Sequence, residues 1–185
     1  MSVAIFDPDR SDRHSILYNA IKHHIRDNSA ILDIGCGHAP MAGLIYACHP
    51  GVTYFGFDCG ASYIERCKEL YPRFEFKQFI YKDSITALIL RRYDIVLHIG
   101  IDSHAFSRIY KIHGKLLADV HLKPDYALLE TGYRDGYKMP FESYSRAMNT
   151  YLAHRYSIAD EGQFEFNVDG HHLRDRRWCV MKREA

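Results

Sequence analysis

Two acids and a pair of closely spaced glycines form the pattern in this chain best suited to chemistry. In "ILDIGCGHAP", residues 31–40, an apolar run ends at Asp33, Gly35 and Gly37 follow with Cys36 between them, and Pro40 closes the stretch. Glycines at those places let the backbone turn sharply and admit a ligand with no Cβ in the way. A helix start behind them offers unpaired N–H groups. A dinucleotide would need G-x-G-x-x-G/A, and Pro40 occupies the third small position. A phosphate-binding loop would need G-K-S or G-K-T, which does not follow. Asp33 would repel a phosphate at close range but suits a ligand that carries an amino group or a sulfonium. The stretch also reads as strand-to-helix punctuation, with Asp33 and Asp58 as capping acids, and taken alone it does not separate the two.

A second group of reactive side chains lies in "LHIGIDSHAF", where His98, Asp102 and His104 fall within seven residues. A histidine or carboxylate within hydrogen-bond reach of a hydroxyl or protonated amine can remove its proton. Each also has a structural reading: His98 as a satisfied histidine ending a buried strand, Asp102 as a helix N-cap in competition with Ser103, and His104 as a surface residue.

The elements that must position these residues follow from periodicity. Residues 10–27 place Leu17, Ile21 and Ile25 on one stripe of an amphipathic helix. "AILDI" reads as a buried strand and "PMAGLIYAC" as a helix with Pro40 in its first turn, where a missing N–H does no harm. The plan repeats: "VTYFGFD", "RFEFKQFIY", "YDIVLHIG" and "YALLET" are strands, with helices "ASYIERCKELY", "DSITALILRR" and "SHAFSRIYKIHGKLLADVHL" between them and "FESYSRAMNTYLAHRY" after the last. Short apolar strands alternating with helices predict βαβ units in a parallel sheet covered on both faces, with right-handed crossovers. At the end, "YSIADEGQFEFNV" and "LRDRRWCVMKR" flank "DGHH", the signal of an antiparallel hairpin. The expected architecture is α/β: a doubly wound, mostly parallel seven-stranded sheet with an antiparallel C-terminal hairpin, in three layers.

Composition bounds the function. A chain of 185 residues with 47% apolar and 25% charged side chains suits one globular domain, with residues 1–28 as an N-terminal lid helix and 30–183 as the core. A net charge of +1 gives no footprint for a nucleic-acid binder and no pull toward anionic membranes. The cluster Arg174, Arg176, Arg177, Lys182 and Arg183 reads as a solvated outer strand. Five cysteines, an odd number without C-x-x-C, argue against a disulfide framework or zinc site and fit a cytoplasmic protein. The acids in "MSVAIFDPDR" do not fit a signal peptide, and no apolar run reaches membrane-span length.

Taken in order, these motifs resemble those of the Rossmann-type S-adenosylmethionine-dependent methyltransferases. "ILDIGCGHAP" is similar to that family's first motif, with Ala39 where a third glycine is common, and "FGFDCGASYIERC" to the end of its second strand. "YDIVLHIG", "LKPDYALLE" and the terminal hairpin resemble the fourth, fifth, sixth and seventh strands, so the likeness spans residues 10–183. The resemblance implies S-adenosylmethionine as cofactor, bound through Asp33, Gly35, Cys36, Gly37 and His98, with Asp58 on the ribose hydroxyls. Asp58 stands 21 residues beyond Gly37, the spacing of consecutive strand ends in a βαβ unit. Cys59 and Asp83 are candidates for the adenine, Asp83 serving equally as a helix N-cap.

The same resemblance makes His98, Asp102 and His104 the catalytic candidates, and Tyr133 and Tyr137 substrate-stacking candidates in "ETGYRDGYKMPF". The "NPPY"-like stretch of enzymes that methylate amino groups of bases or glutamine is absent. No metal is expected. Asp102 with Glu130 mimics the magnesium carboxylates of the catechol-type branch only loosely, and neither His23–His24 nor His171–His172 presents two imidazoles to one point. The expected activity is methyl transfer to oxygen or nitrogen of a modest-sized acceptor, a small molecule before a group on a larger partner. The runner-up is a cofactor-binding module of this fold that scaffolds or regulates a partner without catalysis. A dehydrogenase is disfavoured by Asp33 and Pro40.

Overall fold

A computed structural model describes residues 13–78, 92–100, 123–132, 155–167 and 173–184 of the chain. The helix expected over 10–27 is α1 (Arg13–Ile21), continued by a single 3-10 turn at Lys22–His24. It leads into β1 (Ala30–Ile34), α2 (Pro40–Cys48), β2 (Thr53–Asp58), α3 (Ala61–Leu70) and β3 (Glu75–Gln78). The remaining strands are β4 (Ile95–His98), β5 (Tyr126–Gly132), β6 (Tyr156–Asn167) and β7 (Leu173–Arg183). The helices expected within 83–92, 103–122 and 141–155 lie largely or wholly outside the described residues.

The strands form one seven-stranded sheet in the order β3-β2-β1-β4-β5-β7-β6. β1 to β5 run parallel, β7 is antiparallel to β5, and β6 is antiparallel to β7. The chain moves outward from β1 to β3, then returns to the other side of β1 with β4, which makes the carboxyl ends of β1 and β4 the switch point where open α/β sheets bind ligands.

The expected mixed architecture is therefore observed, with one correction at its end. β7 carries the basic cluster but is not the outer strand, because it inserts between β5 and β6. Arg176, read from sequence as solvated, is 3% exposed and sits against Glu130. Charge patterning along one strand cannot report which of two hairpin strands joins the sheet.

Side chains alternate across a strand, and the sheet uses both faces. Leu17 and Ile21 of α1, Leu44 and Ile45 of α2, and Ile64 of α3 pack on Ile31, Tyr54, Ile95, Leu97 and Val180. Leu32, Ile34, Val96 and Leu129 on the opposite face are buried equally deeply, as a parallel sheet requires. No described helix is long and apolar enough to cross a membrane.

Candidate functional site

β1 enters the switch point with its last residues paired to both neighbours, Asp33 opposite Gly56 of β2 and Leu97 of β4. Beyond the strand the backbone turns through two left-handed glycines, Gly35 at φ 72° and Gly37 at φ 54°. A Cβ at either would meet no protein atom within 4 Å, so the space above them is open. Gly35 and Cys36 both donate their N–H groups to Phe57 O, which ties the turn to the end of β2. Ala39, standing where a third glycine is common, also adopts a left-handed conformation at φ 51°, just ahead of Pro40 at the start of α2. That conformation costs an L-residue roughly 1–2 kcal/mol, and no residue pattern around Ala39 signals it.

The two acids have different surroundings. Asp33 is 3% exposed and accepts a hydrogen bond from the Tyr54 hydroxyl. Burial pushes its carboxyl up to about 7, opposed by the Tyr54 hydrogen bond and assisted by the nearby charge of Asp58. Asp58 is half-buried, and each of its oxygens is engaged: Oδ2 accepts from Gly37 N at 3.0 Å and Oδ1 from Gly60 N at 2.8 Å. Each carboxylate oxygen keeps a further lone pair for a hydroxyl. Asp58 thus fixes the glycine turn and remains an acceptor at its edge.

A cleft of about 420 Å³ opens over the switch point, bounded by Asp33, Gly35 and Cys36 from β1 and its turn and by Ile99 and Gly100 beyond β4. Its other wall is α1, which contributes Arg13 and His14. Arg13 donates to Glu130 Oε2 at 2.6 Å, and Gly100 N donates to the same oxygen at 2.7 Å. Glu130 Oε1 faces Arg176 at 3.3 Å. Glu130 is fully buried, so this carboxylate at the end of β5 balances guanidinium charge instead of presenting itself to a metal. No metal-binding group of three or more ligand side chains exists among the described residues.

His98 is fully buried at the end of β4, and strand alternation sets it with Val96 on the face opposite Asp33 and Glu130. Cys36 lies under the turn beside Cys67 of α3, both thiols reaching Gly37 O at 3.9 and 3.5 Å. Its hydrogen bond with Cys67, together with burial, pushes the Cys36 thiol up. Cys59 is exposed, and its carbonyl accepts from Gln78 Nε2 at 3.1 Å. Asp83, Asp102, His104, Tyr133 and Tyr137 lie outside the described residues.

A second hollow, of about 400 Å³, lies at the amino ends of the strands beside His24, Ser29, Asp94 and Tyr126. Its acids serve the scaffold: Asp94 accepts from Ala30 N at 2.8 Å, and Asp125 pairs with Arg92 and Arg183. Open α/β sheets bind ligands at the opposite, carboxyl end of the strands.

No protein-family model matches the sequence, and no curated protein matches it. Solved structures do match. The methyltransferase domain of a bacterial Hen1 is 16% identical with a TM-score of 0.65, over 94% of this chain and 97% of that one. Magnesium protoporphyrin IX methyltransferase from Synechocystis, solved with S-adenosylmethionine bound, is 15% identical with a TM-score of 0.64, over 92% of this chain and 77% of that one. The chain has a methyltransferase fold. A third such structure, TrmK from M. capricolum with S-adenosylhomocysteine, is 12% identical with a TM-score of 0.63, over 94% of this chain and 68% of that one.

Of the residues singled out from sequence, the methyltransferase fold brings Asp33, Gly35, Cys36, Gly37 and Asp58 to one turn. It sets His98 on the other side of the sheet and Cys59 at the exposed edge of β2. Sequence reasoning missed Arg13, Tyr54 and the structural part of Glu130. The available signal was a charged residue opening an apolar-striped helix and a glutamate ending an apolar strand; neither names its partner.

Proposed function

We propose that this chain is an S-adenosylmethionine-dependent methyltransferase that moves a methyl group to oxygen or nitrogen of a modest-sized acceptor. The observation that carries this reading is the buried carboxyl of Asp33 beside an open glycine turn that Asp58 clamps from the next strand. The residues present fit the cofactor: a desolvated acid for positive charge, room above Gly35 and Gly37, and an acceptor at the edge for the ribose hydroxyls. When bound, S-adenosylmethionine supplies a methyl group already activated by its sulfonium.

The chain's own residues then have limited tasks. Asp33 offsets positive charge in the cleft, and the turn fixes the cofactor's position so that acceptor, methyl and sulfur fall in line. α1 walls one side of the cleft, and residues 1–28 are proposed as the lid that keeps water out. Asp102 and His104 are the groups proposed to take a proton from the acceptor, while His98, buried on the other face of the sheet, is left out of that role. Tyr133 and Tyr137 are proposed to stack on it, with Cys59 or Asp83 at the adenine. Five cysteines, an odd number without C-x-x-C, support a reducing, cytoplasmic setting.

Transfer of labelled methyl from S-adenosylmethionine into a fractionated cell extract tests this directly, because small molecules, lipids, nucleic acids and proteins separate cleanly. Label in the small-molecule fraction is the expected result. Cofactor binding with no transfer to any fraction would replace the enzyme by a cofactor-binding module.

A further inference from the structure

Resting on the cofactor assignment above, we infer that Arg13 is the receptor for the α-carboxylate of the cofactor's methionyl half, and that Glu130 is the positioning residue that holds it there. The cleft has two charged walls. β1 presents the buried carboxyl of Asp33, and α1 presents the guanidinium of Arg13 from the other side. A ligand bearing only positive charge would meet attraction at one wall and repulsion at the other. An α-amino acid satisfies both, its ammonium toward Asp33 and its carboxylate toward Arg13.

The anchoring of Arg13 is more elaborate than helix docking requires. Its Nη2 donates to Glu130 Oε2 at 2.6 Å, from a position 117 residues away in sequence. The same oxygen takes Gly100 N at 2.7 Å, and Oε1 faces Arg176, which is 3% exposed. Gly100, at φ 75°, leaves room for the guanidinium: a Cβ there would stand 2.6 Å from Arg13 Nη2. Three segments are thus shaped around the placement of this one fork at the cleft wall. A guanidinium carries five N–H donors and can serve Glu130 and a second carboxylate together.

The test measures binding of S-adenosylmethionine and of its decarboxylated form to the full chain by calorimetry. The wild type is expected to bind the carboxylate form at least about tenfold more tightly, the magnitude of a lost charge-assisted pair. Arg13→Gln is expected to weaken S-adenosylmethionine by about that factor while leaving the decarboxylated form within about twofold, so that the ratio collapses toward one. Arg13→Lys keeps the charge against Glu130 and protects the fold; it is expected to lower the ratio by about threefold through loss of the planar fork. Glu130→Gln should lower the ratio as well, with thermal unfolding confirming that each variant is folded. A wild-type ratio near one, or an equal loss for both ligands in Arg13→Gln and Arg13→Lys, overturns the inference and leaves cofactor binding intact. Failure of the wild type to bind either form overturns the cofactor assignment and this inference with it.

Discussion

The hydroxyl of Tyr54 donates to the carboxylate of Asp33 in a place where Asp33 is 3% exposed and Tyr54 not at all. β1 and β2 lie side by side in parallel register, and Tyr54 stands near the start of β2 while Asp33 stands near the end of β1. The phenol therefore reaches along the sheet face, beneath the glycine turn, to an acid that burial disfavours in its charged form.

That relationship sets a pH dependence. With Asp33 raised from 3.8 to about 7, its proton is held more tightly in the folded chain than in the unfolded one. Its contribution to stability is therefore full below the unfolded value and is lost as pH rises toward 7. Binding of a cationic ligand has the opposite sign, because it needs the charged carboxylate. Affinity for S-adenosylmethionine is expected to rise roughly tenfold from pH 6 to 8, with proton release seen as buffer-dependent heat in calorimetry. His14 and His38 line the same cleft, so the comparison is with Asp33→Asn, which should lose affinity and the portion of the slope due to Asp33. Tyr54→Phe removes the donor that favours the charged form and should move the midpoint upward.

Asp58 holds two backbone N–H groups, of Gly37 and of Gly60. Asp58→Ala is expected to destabilise the chain by about 1–3 kcal/mol by denaturant titration. Cofactor affinity should fall on the order of a hundredfold, because both the ribose acceptor and the clamp on the turn are removed. Asp58→Asn should keep part of the stability, since its amide oxygen can still accept one of the two N–H groups. Unchanged affinity in both variants would contradict the ribose assignment.

Gly35 separates strain from site occupancy. At φ 72° an alanine costs backbone strain, and its Cβ meets no protein atom within 4 Å. Gly35→Ala should lower stability by only about 1–2 kcal/mol. The added methyl group projects into the cleft, so cofactor affinity should fall by well over that amount. Gly56→Ala is the contrast, since its Cβ would stand 2.8 Å from the Phe76 ring and 3.1 Å from Cys36 Sγ. Its stability loss, read by thermal unfolding, should include an overpacking cost of about 1–3 kcal/mol.

Glu130 is expected to matter for folding as well as for the cleft. Glu130→Ala removes the shared partner of two largely buried guanidinium groups and should cost about 3–5 kcal/mol. Glu69→Ala breaks the exposed Arg66–Glu69 pair and should change stability by about 0.5 kcal/mol or less. Denaturant midpoints of the two variants compared with wild type check the ranking.

What could be read from the sequence was whatever depends on neighbours a few residues apart. Apolar runs of strand length, the helix stripe of Leu17 and Ile21, and turn glycines specify local conformation, and their alternation specified the order and type of the layers. The strand-and-helix repeat even separated Asp33 from Asp58 by the distance that brings two strand ends together. The tertiary structure decided everything that depends on which strand lies beside which. The register of β1 against β2 put a phenol on Asp33 and, through burial, raised its carboxyl. The insertion of β7 between β5 and β6 carried Arg176 inside, and the packing of α1 on the sheet brought Arg13 across 117 residues to Glu130. Burial and charge pairing are properties of the assembled sheet, so no pattern along one segment of chain encodes them.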